Sequence, residues 1–401
     1  MPSPDFRLVA AAFAFGAIAV VAPAASAQRV QTTQLISRAA DGGMPNGQST
    51  HAVISNDRRY ARIIAFESDA SNLVANDRNG HTDVFAIRRA GPVNNRGTAW
   101  QPGRTFLVSR TYNGAPSNGP SFAPAVDGSF KTAAKCVAFL SRASNLVRRD
   151  TNGRVDAFLV SRLGRKPRRL LLPGRRQPRQ DVTHVAVSGN CSRIAFVAGG
   201  RLYVQYRGRT RRLRAGGAAA DPSFSTGKRQ DLVFGAGRGV YLSSNGTGRP
   251  RLVAPGGSNP AYNDIKRQTV AYEVMRGGVR QIGYRDLGRP EQIISANGGE
   301  LGNGDSTDPV IGNSGFYVTF ESAASNLGVR DGNGERDVYL YTDVRRLRLL
   351  ESLDNDGSPL PGGGFRPSMS FYANYILFES PVPLGSNQGP RQVFMRWLGG
   401  V

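Results

Sequence analysis

Apolar positions in this chain fall in short runs, each close to an aromatic residue. The runs are Ala65-Phe66-Glu67-Ser68, Ala138-Phe139-Leu140-Ser141, Arg193-Ile194-Ala195-Phe196, Asp231-Leu232-Val233-Phe234, Thr269-Val270-Ala271-Tyr272, Thr319-Phe320-Glu321-Ser322 and Tyr375-Ile376-Leu377-Phe378. Stretches such as Asp337-Val338-Tyr339-Leu340-Tyr341 alternate with a period of two. That period predicts β-strands, because successive strand side chains face opposite sides of a sheet. Helical periods are scarce, and 49 Gly and 24 Pro punctuate the chain with turns. The pattern predicts an all-β protein.

Three of the runs begin longer copies. After Phe66, Phe139 and Phe320 come Ser-Asn-Leu at Ser71, Ser144 and Ser325, and then Asp77, Asp150 and Asp331. Asn-Gly follows at Asn79, Asn152 and Asn333, a second Asp at Asp83, Asp156 and Asp337, and an aromatic at Phe85, Phe158 and Tyr339. Gapless register over such a length means one supersecondary unit copied along the chain. The intervals between anchor aromatics are 73, 57, 38, 38, 48 and 58 residues, and the shortest matches a four-stranded propeller blade. Each unit reads as an approach strand with Ser or Pro (Val187-Ser188, Pro222-Ser223, Pro367-Ser368), the anchor strand, a third strand and an outer strand such as Thr105–Ser109.

The last unit stops at its third strand, Gln392–Arg396, while the chain opens with an orphan outer strand, Gln34–Ser37. Pairing the two would close a ring and remove a sheet edge. The expected architecture is a β-propeller of seven blades, with six as the alternative, closed by the N-terminal strand. The pattern resembles the WD40-like repeat of the TolB-like family of exported propellers. The approach Ser/Pro segments, the Ala-Phe-Glu-Ser strand and the Asp-Val-Phe or Asp-Val-Tyr third strand carry that resemblance over roughly residues 32–396. It implies a rigid protein-binding ring and assigns no contact residue.

Residues 1–27 read as a signal peptide, with Arg7, an apolar run from Leu8 to Val21, and Ala25-Ser26-Ala27 as a cleavage site. Residues 28–401 then form one propeller domain, exported to the periplasm, cell wall or exterior. No later stretch has the ~18 apolar residues that a membrane helix needs. Export places Cys136 and Cys191 in an oxidising compartment. They lie ahead of successive anchor strands, as a disulfide or as two buried thiols.

The Asp-x-Asn-Gly-x-x-Asp loops are the one motif with metal-like spacing: Asp77, Asn79 and Asp83; Asp150, Asn152 and Asp156; Asp331, Asn333 and Asp337. Calcium takes six to eight hard oxygens, and each loop offers about three side-chain oxygens. Asp and Asn also close turns on neighbouring amides, and Asn-Gly supplies positive φ. A structural turn is the favoured reading and calcium the alternative; no other cofactor is expected.

The formal charge is +23, with 52 Lys and Arg against 29 acids. Residues 162–214 hold 15 Lys or Arg and one acid, Asp181. Within that window Arg165, Lys166, Arg168, Arg169, Arg175, Arg176, Arg209, Arg211 and Arg212 form the candidate patch for an anionic partner. Export argues against nucleic acid, which leaves an anionic envelope polymer or a protein, bound by a monomer by default. No Gly-x-Ser-x-Gly elbow or zinc-spaced His/Cys cluster is present, and the chain has three His. The repeated acids Glu67, Glu273, Glu321 and Glu379 are expected to hydrogen-bond within their own blades. The reading is a non-enzymatic binding module; the alternative is a hydrolase or lyase on envelope polymers or sugars, with its site at the channel mouth.

Overall fold

The computed structural model describes residues 31–399 apart from 58–60, 92–98, 130, 226, 228, 313–314, 330 and 385–386. The segment read as a signal peptide lies outside the described residues. Seven antiparallel four-stranded sheets follow one another as the blades of a propeller. Blade 1 comprises Ser49–Ile54, Ile63–Ser68, Asp83–Arg89 and Pro102–Leu107. Blade 2 comprises Ser121–Val126, Val137–Ser141, Asp156–Val160 and Arg168–Arg169, and blade 3 Val182–Val187, Arg193–Ala198, Arg201–Tyr206 and Arg209–Leu213. Blade 4 runs from Ala219–Phe224 to Arg251–Pro255, and blade 5 from Ser258–Asn263 to Gln292–Ile293. Blade 6 comprises Ser306–Ile311, Tyr317–Ser322, Asp337–Thr342 and Leu347–Leu350. In blade 7, Phe365–Met369, Tyr375–Leu384 and Asn387–Trp397 are completed by Thr32–Leu35.

The first strand of each blade touches those of its neighbours, so the first strands surround the axis. Between blades the core is apolar because both faces of each sheet are covered. All seven anchor aromatics are buried. Six stack on an aromatic of the third strand, from Phe196–Tyr203 at 5.5 Å between centroids to Phe66–Phe85 at 6.0 Å. Such a pair contributes about 0.5–1.5 kcal/mol beyond the area it buries. Blade 5 solves the problem differently. Tyr272 faces Gly283, and a Cβ there would lie 2.7 Å from the tyrosine ring.

The ends of the chain meet as the sequence pattern requires. Thr32 pairs with Trp397 and Leu35 with Phe394, and the contact continues through Ser37, whose Oγ donates to Gln392 Oε1 at 2.9 Å. The guanidinium of Arg396, 4% exposed, lies in this seam and donates to Thr33 Oγ1, Gln31 Oε1 and the Asp354 carbonyl. It also pairs with Glu351 at 3.2 Å. Burial pushes the Glu351 carboxyl up to about 7, against the opposing pull of Arg396. Removing one partner of a buried ion pair leaves the other uncompensated, at a cost of about 3–5 kcal/mol. Arg396→Ala is therefore expected to lose that much in urea unfolding, while Arg396→Met combined with Glu351→Leu loses much less. Equal losses in the two variants would show that the pair does not hold the seam.

Candidate functional site

Each first strand carries an irregularity where it passes the axis. In six blades two residues oppose one on the anchor strand, and in blade 3 the shift falls at Thr183. The residues presented at this level are His51, Ala123, His184, Asp221, Asn259, Asp308 and Arg366, one per blade, and all line a channel of about 650 Å³. Six have positive φ, from 42° at Asn259 to 53° at Asp308, and only His184 does not. A non-glycine residue in this region is strained by about 1–3 kcal/mol and persists where its surroundings enforce it.

The repeated glutamates supply that enforcement. Glu379 of blade 7 accepts the amide of His51 in blade 1 at 2.6 Å, and Glu67 of blade 1 accepts that of Ala123 in blade 2 at 2.8 Å. Glu273 of blade 5 accepts the Asp308 amide at 3.0 Å, and Glu321 of blade 6 accepts the Arg366 amide at 2.7 Å. This corrects the expectation that these acids bond within their own blades. Own-blade bonds exist, such as Thr307 Oγ1 to Glu321 at 2.9 Å, but each carboxylate also bridges to the next blade. Blades 2, 3 and 4 have Leu140, Val197 and Gly235 in the equivalent place, so their junctions lack the clamp.

The channel mouth is consequently two-faced. Blades 5, 6 and 7 pair each glutamate with an arginine in the same register: Arg280–Glu273 at 3.6 Å, Arg336–Glu321 at 3.2 Å and Arg391–Glu379 at 3.9 Å. In blade 1 His51 Nδ1 lies 2.6 Å from Glu67 and takes that role. Burial raises the Glu67 carboxyl, but the His51 bond and charge, with bonds from Ala123 and Thr50, hold it below its ordinary value. Asn259 Nδ2 donates to both Glu273 at 2.8 Å and Asp308 at 2.9 Å. Burial, and then repulsion from Glu321 and Glu273, raises the Asp308 carboxyl. His184 Nε2 lies 3.1 Å from Asp221.

The Asp-x-Asn-Gly-x-x-Asp loops join second to third strands at this end of the ring, and their side chains bond to protein groups. Asn79 turns its amide NH₂ to Asp83 at 2.6 Å, and its Oδ1 accepts the His81 amide at 3.0 Å. Ser109 and Ser117 both donate to the other Asp83 oxygen. Asn152 likewise donates to Asp156 at 3.0 Å and Asn333 to the Leu360 carbonyl at 2.8 Å. Ser352 donates to Asp337, and Tyr339 reaches Asp331 at 3.5 Å. In blades 5 and 7 the neutral amides of Gln281 and Gln392 occupy the second-Asp position and meet Ser295 and Ser37. A neutral side chain therefore serves where the loops have a carboxylate. Asp150 and Asp156 share the Arg169 guanidinium at 2.7 and 3.3 Å. Arg169 is thus corrected from surface patch to internal counter-ion.

Two further features escaped the sequence reading. Asn46, Asn118 and Asn303 each clamp the Ser-Asn of the following loop, as in Asn46 Nδ2 to Ser71 Oγ and Asn72 Oδ1 from the Asn46 amide. The glycine after each packs against loop backbone, and a Cβ on Gly47 would lie 2.7 Å from Ala70 N. The repeated Asn-Gly-x-Ser was visible at 46–49, 118–121 and 303–306. The axial residues were signalled by a following Pro in five blades, at Pro124, Pro222, Pro260, Pro309 and Pro367.

Cys136 and Cys191 are joined as a disulfide between blades 2 and 3, with Cα atoms 6.3 Å apart. On the outer rim, Arg168 donates to Gln205 at 2.6 Å and Thr210 to the Leu171 carbonyl at 2.7 Å, tying the edges of blades 2 and 3 together. Arg165, Lys166, Arg175, Arg176, Arg209, Arg211 and Arg212 are exposed, and none makes an ion pair with a described residue. Beside them a cleft of about 770 Å³ on the outer side of blade 1 reaches Gly164; its lining includes Arg38, Arg104 and Arg110 and no acid.

No protein-family profile matches the chain, and no curated protein matches it. Among solved structures, the β-propeller domain of the Trilobed protease from Pyrococcus furiosus superposes with a TM-score of 0.50 at 10% identity, over 88% of this chain and 94% of that one. Its topology is described as an open velcro, whereas here Thr32–Leu35 pairs with the last sheet. An oligogalacturonate lyase in complex with manganese gives 0.43 at 10% identity, over 88% and 98%. A putative TolB from Agrobacterium tumefaciens gives 0.39 at 13%, over 73% and 94%. At these identities the likeness concerns the fold alone.

The buried loop acids generate a test. Burial, reinforced in each case by the loop's other aspartate, pushes Asp77, Asp156 and Asp337 up to about 6. A carboxyl raised on folding binds its proton more tightly in the native state, so its penalty is full above about pH 6 and vanishes below the unfolded value near 4. The melting midpoint is expected to rise as pH falls from 7.5 to 5. Asp83→Asn should keep within about 1 kcal/mol of wild type, while Asp83→Ala, which orphans buried donors, should lose about 1–3 kcal/mol. Calorimetry across that pH range checks both; equal loss in Asp83→Asn and Asp83→Ala would favour a charge-requiring cation site.

Proposed function

We propose that this chain is an exported, TolB-like, non-enzymatic propeller that binds a linear anionic polymer of the cell envelope along its outer rim. One observation carries the reading. From the cleft on blade 1 to the outer strand of blade 3, exposed arginines run without a neutralising acid, and Asp181, the acid inside the basic window, is itself occupied by Arg142 at 3.7 Å and the Val155 amide. At the channel mouth, by contrast, arginines face glutamates. A one-signed strip attracts polyanions and raises their local concentration. The disulfide fits an oxidising compartment, and among the described residues no helix is long and apolar enough to cross a membrane. The axial acids and histidines are occupied in joining blades, which supports binding over catalysis. The Asp-Asn loops act as turns, so a chelator should leave the melting midpoint unchanged.

Retention on an immobilised polyuronate, measured against salt, tests this. Arg175, Arg176, Arg209 and Arg211 changed together to Gln should flatten the salt dependence. The charge-matched set Arg238, Arg249, Arg251 and Arg289 changed to Gln should leave it nearly intact, because the slope counts the charges neutralised at the contact. Equal behaviour of the two variants would reduce the rim to general ion exchange.

A second reading has its own observation: Asp308 and Glu273 share one Asn259 amide in the channel, and the Asp308 carboxyl is raised. A carboxylic acid beside a carboxylate can serve glycosidic or lyase chemistry. Under that reading wild type shortens a polyuronate and Asp308→Asn does not, with retention on the column unaltered in both.

A further inference from the structure

The described surface exposes six large apolar side chains, and three of them crowd into six residues of blade 6: Val344 at 75%, Leu347 at 46% and Leu349 at 44%. They belong to the outer strand Leu347–Leu350 and the turn leading into it. The alternation there is inverted. Leu347 and Leu349 face solvent, while Arg348 turns back across the blade, its Nε donating to the Leu327 carbonyl at 3.0 Å and its Nη2 to Asn297 at 3.4 Å. An isolated surface leucine needs no explanation, but a cluster that places apolar side chains on the wet face of an edge strand marks an interaction site.

The backbone points the same way. Among the described residues Leu347–Leu350 pairs only with Asp337–Thr342, which leaves its other edge without a strand partner. The Glu351 amide bonds inward to Val338 O at 2.8 Å. In an antiparallel ladder inward and outward amides alternate, so those of Arg348 and Leu350 point to the free edge. Exposed Arg345 and Arg346 flank the leucines and make no ion pair with a described residue. A facing strand with acidic residues would supply the counter-charges that these arginines lack, and opposite charges on facing strands are stabilising.

We infer that the outer edge of blade 6 docks an extended segment of a partner protein, added as a fifth strand, with apolar residues at alternate positions and acidic residues between them. The leucines give an apolar surface for the apolar positions, the outward amides give main-chain bonds, and Arg345 and Arg346 select the acids. This surface is separate from the arginine strip of blades 2 and 3, so either can fail without the other.

The test uses the whole chain and an eight-residue peptide of alternating Leu and Glu, with a Leu/Lys peptide as its counterpart. Fluorescence anisotropy should show binding of the Leu/Glu peptide, and hydrogen exchange should slow at the Arg348 and Leu350 amides. Leu347→Ser with Leu349→Ser should weaken binding about tenfold or more while polyuronate retention and melting stay as in wild type. Arg345→Glu with Arg346→Glu should transfer preference to the Leu/Lys peptide. The inference is overturned by equal affinity for the two peptides, by unchanged affinity in the serine variant, or by absence of binding at millimolar peptide. A wild-type dimer in sedimentation that the serine variant dissolves would also overturn it, in favour of a second copy as occupant.

Discussion

A sheet wrapped around an axis has to meet itself, and in this protein the meeting is made by strands from opposite ends of the chain. Thr32–Leu35 supplies the fourth strand of blade 7 on the outside of the ring. On the inside, Glu379 of blade 7 holds the strained amide of His51 in blade 1. Arg396 ties the outer seam to the loops after blade 6 through Glu351 and the Asp354 carbonyl. Every blade packs on two neighbours, and blades 1 and 7 owe their second neighbour to this closure. Without it the first blade would lose one covered face and blade 7 would expose the edge of Asn387–Trp397.

The junctions between blades are unequal. Four of them use a glutamate that reaches across to a strained amide: 7 to 1, 1 to 2, 5 to 6 and 6 to 7. The junctions around blades 3 and 4 have apolar or glycine positions instead. The substitutes there are of other kinds. The Cys136–Cys191 disulfide crosses from blade 2 to blade 3, and Ser192 and Arg193 of blade 3 meet Gln230 of blade 4 at 2.9 and 3.0 Å. One covalent bond thus stands where the carboxylate clamp is missing.

Much of this was legible because repetition multiplies a weak signal. The anchor aromatics, the blade count and the orphan strand followed from spacing, since a strand pair repeated seven times fixes its own register. The expected orphan strand, Gln34–Ser37, is displaced by about two residues from the observed Thr32–Leu35, because hydrogen bonding and not hydropathy ends the ladder. The glutamates were found but assigned to the wrong partner. Sequence shows that Glu67 ends a strand, and only coordinates show that the nearest unpaired donor is an amide strained by a bulge in the next blade. Arg169 looked like its neighbours on a basic window, yet a two-residue strand turns it inward onto Asp150 and Asp156. Alternation of one residue decides such cases, and a run of arginines hides it.

The ring also dictates how far apart its surfaces stand. Blades 2 and 3 carry the arginine strip and blade 6 the inverted leucines, with blades 4 and 5 on one side and blades 7 and 1 on the other. Both surfaces lie on outermost strands and the turns beside them. Clamps, stacked aromatics and the seam make the body between them stiff, so binding at one edge has little means of reshaping the other. Simultaneous occupation then needs no communication, only a fixed separation. A polymer at one rim and a protein strand at the other would be held at a distance set by the ring. For such a scaffold the glutamate clamps at the axis are useful as a source of rigidity, even if no ligand ever enters the channel.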